Sequence, residues 1–199
     1  MRRFGWLACL ALAAGCATSK AFVAPEYVSS GKIAVLPMDN QTNDLDGPVF
    51  IRKLIYEGLA ARGFQVLPTG PIDDQLKANG FTDGGQLRAT TPQKIAEWTG
   101  ADTLVYATLE NFDYIILGYY AQRRVKTLAR LVDGKTGNKL WEAEGDASTR
   151  AIATNTKQAE QLSAVQLAIK FAEKLGHVPL RKESQLAVAR LLNTLPNRH

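Results

Sequence analysis

Two cysteines, two histidines and a scatter of carboxylates are the groups in this 199-residue chain with reactive potential. His177 and His199 stand in no H-x-x-x-H spacing, so they do not suggest a zinc pair. The carboxylates Asp39, Asp44, Asp46, Asp73, Asp74, Asp83, Asp102, Glu110 and Asp113 show no pairing that marks acid–base work. Asp73 and Asp74 fall on different sides of a helix and suit its first turn, where the helix dipole favours negative charge. Gly134-Lys135-Thr136 has the ending of a phosphate-binding loop. That loop needs a glycine where this chain has Ala129, and a helix where a strand pattern follows. Residues 133–138 read instead as a hairpin turn, with Gly134 and Gly137 free to take positive φ. No Gly-x-Ser-x-Gly element is present. The chain reads as non-catalytic, with no metal, no cofactor and no small-molecule substrate.

The exception is Cys16. Met1-Arg2-Arg3, an apolar run over residues 4–14 and small residues before a cut site have the layout of a secretory signal peptide. The run is too short to span a bilayer, which takes about 20 apolar residues. Leu12-Ala13-Ala14-Gly15-Cys16 resembles the lipobox of bacterial lipoproteins. That resemblance implies a diacylglyceryl thioether on Cys16, cleavage between Gly15 and Cys16, and acylation of the new amino terminus. Each buried methylene contributes about 0.8 kcal/mol, so one chain holds marginally and two or three hold firmly. Ala17, rather than aspartate, follows the cysteine, which implies default sorting to the outer membrane, inner leaflet, facing the periplasm.

Cleavage would leave 184 residues, enough for one well-buried core. It would also remove Arg2 and Arg3, lowering the net charge from +5 to +3. A modest positive balance suits anionic lipid or glycan and is no nucleic-acid signature. Cys9 leaves with the leader, so the mature domain can form no internal disulfide and must rely on its core. The feature most suggestive of recognition is Phe112-Asp113-Tyr114, Tyr119-Tyr120 and Arg123-Arg124. Aromatic and arginine side chains are enriched at interface hot spots. Tyr114, Tyr119, Tyr120, Arg123 and Arg124 are thus candidate partner-binding residues near a hairpin end at Leu117-Gly118. Cross-strand pairing is the alternative reading, and it is favoured for Phe112.

These residues must be carried by the elements that hydrophobic periodicity predicts. Residues 16–30, with Pro25 and no helical period, read as a lipidated cysteine and tether. At about 3.3–3.6 Å per residue, 17–30 reach roughly 50 Å. Residues 32–38 and 64–67 read as short buried strands. Residues 49–62, 72–79 and 92–99 read as helices, the last capped by Thr91. Beyond Asp102 the period is two, and residues 103–109, 112–117, 121–132 and 139–147 read as four successive strands. Two helices follow. Residues 158–175 carry Leu162, Val165, Ile169, Ala172 and Leu175 on one face. Residues 183–195 present Leu186, Val188, Leu191, Leu192 and Leu195. The expectation is a single α/β (α+β) domain over residues 31–199, with a mixed, largely antiparallel sheet flanked by helices.

Several stretches together resemble a bacterial lipoprotein family, domain of unknown function 799. They are Lys32-Ile33-Ala34-Val35-Leu36-Pro37-Met38-Asp39-Asn40, Asn79-Gly80-Phe81-Thr82-Asp83, Gly100-Ala101-Asp102, and Ala129-Arg130-Leu131-Val132-Asp133 through Lys139-Leu140-Trp141-Glu142. The resemblance covers residues 31–149 and the lipobox; the tail departs from it. It implies a fold like the amino-terminal domain of the periplasmic protein TolB, and a scaffold or accessory subunit of an envelope or secretion complex. The partners it implies are other envelope proteins or a second copy. Its alternatives are a subunit of a curli-secretion-like channel or a lipoprotein activator of a peptidoglycan synthase. Against a channel, Arg123, Arg124, Lys126 and Arg130 put charge on both faces of one strand, and a lipid-facing charge costs about 2–4 kcal/mol at the midplane.

Overall fold

The computed structural model describes residues 21–25, 27, 31–176 and 180–196; Gly15, Cys16, His177 and His199 lie outside them. The elements run β1 (Ala21–Val23), β2 (Lys32–Val35), β3 (Asp39–Asn40), α1 (Asp46–Ala61), β4 (Gln65–Val66) and α2 (Thr69–Ala78). After a 3-10 turn at Gly84–Ala89 come α3 (Pro92–Thr99), β5 (Thr103–Leu117), β6 (Tyr120–Asp133), β7 (Lys139–Ile152), α4 (Thr156–Leu175) and α5 (Arg181–Leu192). The described strands form one seven-stranded sheet, ordered β1-β7-β6-β5-β2-β4, with β3 also beside β5. β1, β7, β6 and β5 pair antiparallel; β2, β3 and β4 join in parallel. The mixed, largely antiparallel sheet flanked by helices matches the expected class.

The apolar run of β2 follows from cover on both faces. Ile33 and Val35 pack with Ile51, Ile55 and Leu59 of α1 and with Val188, Leu191 and Leu192 of α5. Ala34 and Leu36 face the other way, onto Ile72 and Leu76 of α2 and Ile95 of α3. Thr91 caps α3 as expected, accepting from the Lys94 amide. α5 lies so close to β7 that a Cβ on Gly145 would meet the Ala187 carbonyl at 2.2 Å, so only glycine fits there.

Several expectations are corrected. Residues 103–109 and 112–117 are one strand, β5, not two. A bulge between Leu109 and Asn111 shifts the register, so the inward residues change from Val105, Ala107 and Leu109 to Phe112 and Tyr114. That break in alternation imitates a turn in the sequence, yet pairing with β6 continues through it. Asp73 is not in the first turn of α2, which starts at Thr69; it makes a bidentate ion pair with Arg52. Gly134 does not take positive φ, although Gly137 does at φ 78. Gly134 is needed because its backbone passes the Asp102 carbonyl, 2.8 Å from where a Cβ would sit. In α5, Ser184 and Ala187 turn inward and Leu186 is exposed. Part of the expected tether is strand: Ala21–Val23 pairs with β7, Ala21 opposite Ala143 and Val23 opposite Trp141.

Candidate functional site

Beyond the bulge, β5, β6 and β7 outrun the rest of the sheet and form an arm of residues 111–126 and 146–152. Register puts Phe112, Val125 and Ala147 on one face, followed by Tyr114, Arg123 and Thr149. α4 lies over this face. The opposite face carries Asp113, Arg124 and Ser148, then Leu117, Tyr120 and Ile152 at the tip.

α4 is held largely by polar contacts. The Tyr119 hydroxyl meets Thr156 Oγ1 at 3.1 Å, and the Tyr114 hydroxyl donates to the Gln166 carbonyl. The Arg123 guanidinium pairs with Glu173 of α4 and, at 3.1 Å, with Glu183 of α5. Thr149 donates to Glu183 at 2.6 Å, and the Leu180 amide donates to Glu173 at 3.2 Å. Two carboxylates thus share one cation in the interior. Arg123 Nε has no hydrogen-bond partner among the described residues. Tyr114 sits under the guanidinium, 5.3 Å from the ring centroid, and burial raises its pKa although the Arg123 charge opposes this.

The outer face of α4 is apolar and uncovered. Val165, Leu167, Phe171 and Leu175 are each more than half exposed. The expected inward face is corrected: Val165, Ala172 and Leu175 point to solvent, while Leu162 and Ile169 are half-buried. The apolar side of α4 is the bare one: the helix meets the sheet through its polar side, with Gln166 and Glu173, so reading the apolar side as the buried one inverts the packing. No helix of the described residues is long and apolar enough to cross a membrane.

On the arm's other face the charges pair along the strands. Arg124 bonds Asp146 at 2.6 Å, and Lys126 bonds Glu110 and Glu144 at 2.9 and 3.2 Å. The hydrogen bond to Asp146 raises the pKa of Arg124, and those to Glu110 and Glu144 raise that of Lys126. A cavity of about 480 Å³ opens where the arm meets the loop before α1, lined by Thr42, Asp44, Asp113, Tyr114 and Lys170. Among the described residues no group of three or more His, Cys, Asp or Glu is placed to hold a metal.

The five residues expected to bind a partner are brought together on the arm and divided among different settings. Tyr119 is exposed and Tyr120 half-buried. Arg124 is tied to Asp146. Tyr114 and Arg123 turn inward beneath α4, so neither offers the free surface expected of it. Sequence reasoning missed Glu173, Glu183 and Thr149. Glu183 stands in Arg181-Lys182-Glu183-Ser184, which reads as a solvated helix start; its burial depends on a cation 60 positions away.

Comparison with known proteins agrees with this architecture. Residues 26–194 match the family model described as "Putative lipoprotein GNA1162-like". The "Putative lipoprotein NMB1124/NMB1162" of Neisseria meningitidis serogroup B is 30% identical over 158 residues, 76% of this chain and 71% of that protein. The crystal structure of lipoprotein GNA1162 from Neisseria meningitidis is similar with a TM-score of 0.57 at 26% identity, over 70% of this chain and 98% of that one. PelC from Paraburkholderia phytofirmans, a dodecamer, shares the fold with a TM-score of 0.55 at 15% identity, over 88% and 96% of the two chains. From the family match across most of its length, this chain belongs to the GNA1162-like family.

Proposed function

We propose that the protein is a non-catalytic lipoprotein of the bacterial envelope, acylated at Cys16 and held in the inner leaflet of the outer membrane facing the periplasm. It acts as a scaffold or accessory subunit by binding other proteins through the outer face of α4. The observation that carries this reading is the row of Leu167, Phe171 and Leu175, spaced four residues apart and in solvent, with Val165 exposed on the flank, on a helix held mainly by polar contacts. A contiguous apolar patch of this kind marks an interaction surface. Kinship with the family of domain of unknown function 799, and through it with the TolB amino-terminal fold, suits such a docking role. A second copy is one partner of the right chemistry, and PelC, which shares the fold, assembles as a dodecamer.

The pairing of β1 with β7 bears on the alternatives. Only residues 16–20 separate the lipid from the sheet, so the stand-off falls from roughly 50 Å to roughly 17 Å. That length disfavours an activator that must reach through the peptidoglycan layer. The test places a photo-crosslinking residue at Leu167 or Phe171 of the full chain in cells, with Leu45 as control. We expect a defined adduct from α4, abolished by Phe171→Asp with the melting temperature unchanged. Adducts no stronger than at Leu45, from folded protein, refute the docking role. An intact mass without acyl groups refutes the anchor.

A further inference from the structure

We infer that the tip of the arm is a second membrane contact, seated in the headgroup layer of the bilayer that holds Cys16; this rests on the acylation proposed above. At the tip Leu117 is 68% exposed, Tyr119 50% and Ile152 74%. Register sets Leu117, Tyr120 and Ile152 side by side on the face away from α4. An apolar cluster with tyrosine hydroxyls at its rim has the composition that settles at a lipid–water boundary.

The charges agree. Residues 114–122 and 147–159 contain no aspartate or glutamate; the two carboxylates of the arm, Asp113 and Asp146, lie at its base. Arg150 and Lys157 are exposed beside the tip. An anionic leaflet attracts such cations. A water-facing tip would need no such exclusion of acids.

The direction of the chain agrees too. β1 runs antiparallel to β7, so its first residue, Ala21, is the end of β1 nearer the tip. From the Ala143 register to Ile152 the strand rises roughly 30 Å at about 3.4 Å per residue. Cys16, five residues before Ala21, can lie at most roughly 17 Å from it. Lipid and tip can therefore meet one bilayer surface only if the strands lie at a slant to it. The anchor and the tip would then fix the domain's orientation, leaving the outer face of α4 presented at a defined height.

The experiment uses the lipidated full chain carrying Leu117→Cys or Ile152→Cys, labelled with an environment-sensitive fluorophore. The Cys16 sulfur is blocked by its thioether, so the introduced thiol is the one that reacts. Protein is reconstituted into phosphatidylethanolamine–phosphatidylglycerol vesicles with and without a nitroxide-labelled lipid. Quenching of about twofold is expected at 117 and 152, and almost none at Leu45→Cys, for a group seated in the interface. Should either variant melt early, Tyr119→Cys supplies the tip probe. Probes as unquenched as the Leu45 control, on acylated protein that floats with the vesicles, overturn the tip contact and leave the anchor standing. A blue shift that grows with protein concentration in detergent, without vesicles, overturns it in favour of a second copy. Absence of acyl mass overturns the anchor and this inference together.

Discussion

The body of the sheet and its arm are built from the same three long strands and held by different physics. In the body, β2 and the first half of β5 lie between two helical layers, and Val35, Ile51, Leu104 and Leu109 have no accessible surface. In the arm, one face is closed by α4 through hydroxyls and ion pairs, and the other is a ladder of paired charges. Val125 and Ala147 of the arm are still buried, but the tip residues Leu117 and Ile152 and the α4 residues Leu167, Phe171 and Leu175 stand in solvent. The bare apolar side of α4 is the surface on which the proposed docking role rests.

That contrast can be broken by measurement. The largest effect is expected at the junction. Arg123→Ala leaves Glu173 and Glu183 facing each other with no cation, and should cost about 3–5 kcal/mol in urea unfolding. Arg123→Met combined with Glu183→Leu should recover part of that loss, since it removes the two most deeply buried charges and leaves only Glu173, the more exposed of the two carboxylates. In the body, Ile51→Ala should cost about 2–5 kcal/mol. At the turn after β6, the Asp133 carboxylate accepts from the Thr136 and Lys135 amides and the Thr136 hydroxyl. Asp133→Ala should cost about 1 kcal/mol at neutral pH.

The pH dependence of that last change has a definite sign. The backbone hydrogen bond from Thr136 is the main reason the Asp133 carboxyl titrates below its usual range, with burial opposing it. A depressed carboxylate stabilises the fold above its unfolded pKa, and that contribution drains away as pH falls through the folded value. Wild type and Asp133→Ala should therefore differ most near neutrality and converge in acid, as read by thermal melts across pH. The smallest effect belongs to α4: Phe171→Ala should shift stability by no more than about 0.5 kcal/mol. If it costs as much as Ile51→Ala, α4 is part of the core and the contrast between the two regions fails.

Legibility in the sequence followed how local each signal was. α3 was readable to the residue because a threonine cap and a proline at the first position define its start within three positions. The turn at residues 133–138 was readable for the same reason, although the role of Gly134 was not. β5 was divided in two because a bulge and a turn break alternation alike. The candidate residues cluster at one hairpin in sequence and in structure, yet nothing local shows that Arg123 is buried. Its burial requires Glu173 and Glu183, at the end of one helix and the start of another.

By itself the sequence determined the lipobox-like run that ends at Cys16, the class of the fold and the order of nearly all its elements. Those depend on residue type and on periods of two or four, which neighbours carry within one turn or strand. Only the tertiary structure decided which side of α4 is bare, that Ala21–Val23 closes the sheet edge, and that two carboxylates share one buried guanidinium. Each of these depends on contacts between residues 50 or more positions apart, and no local pattern encodes the partner's location.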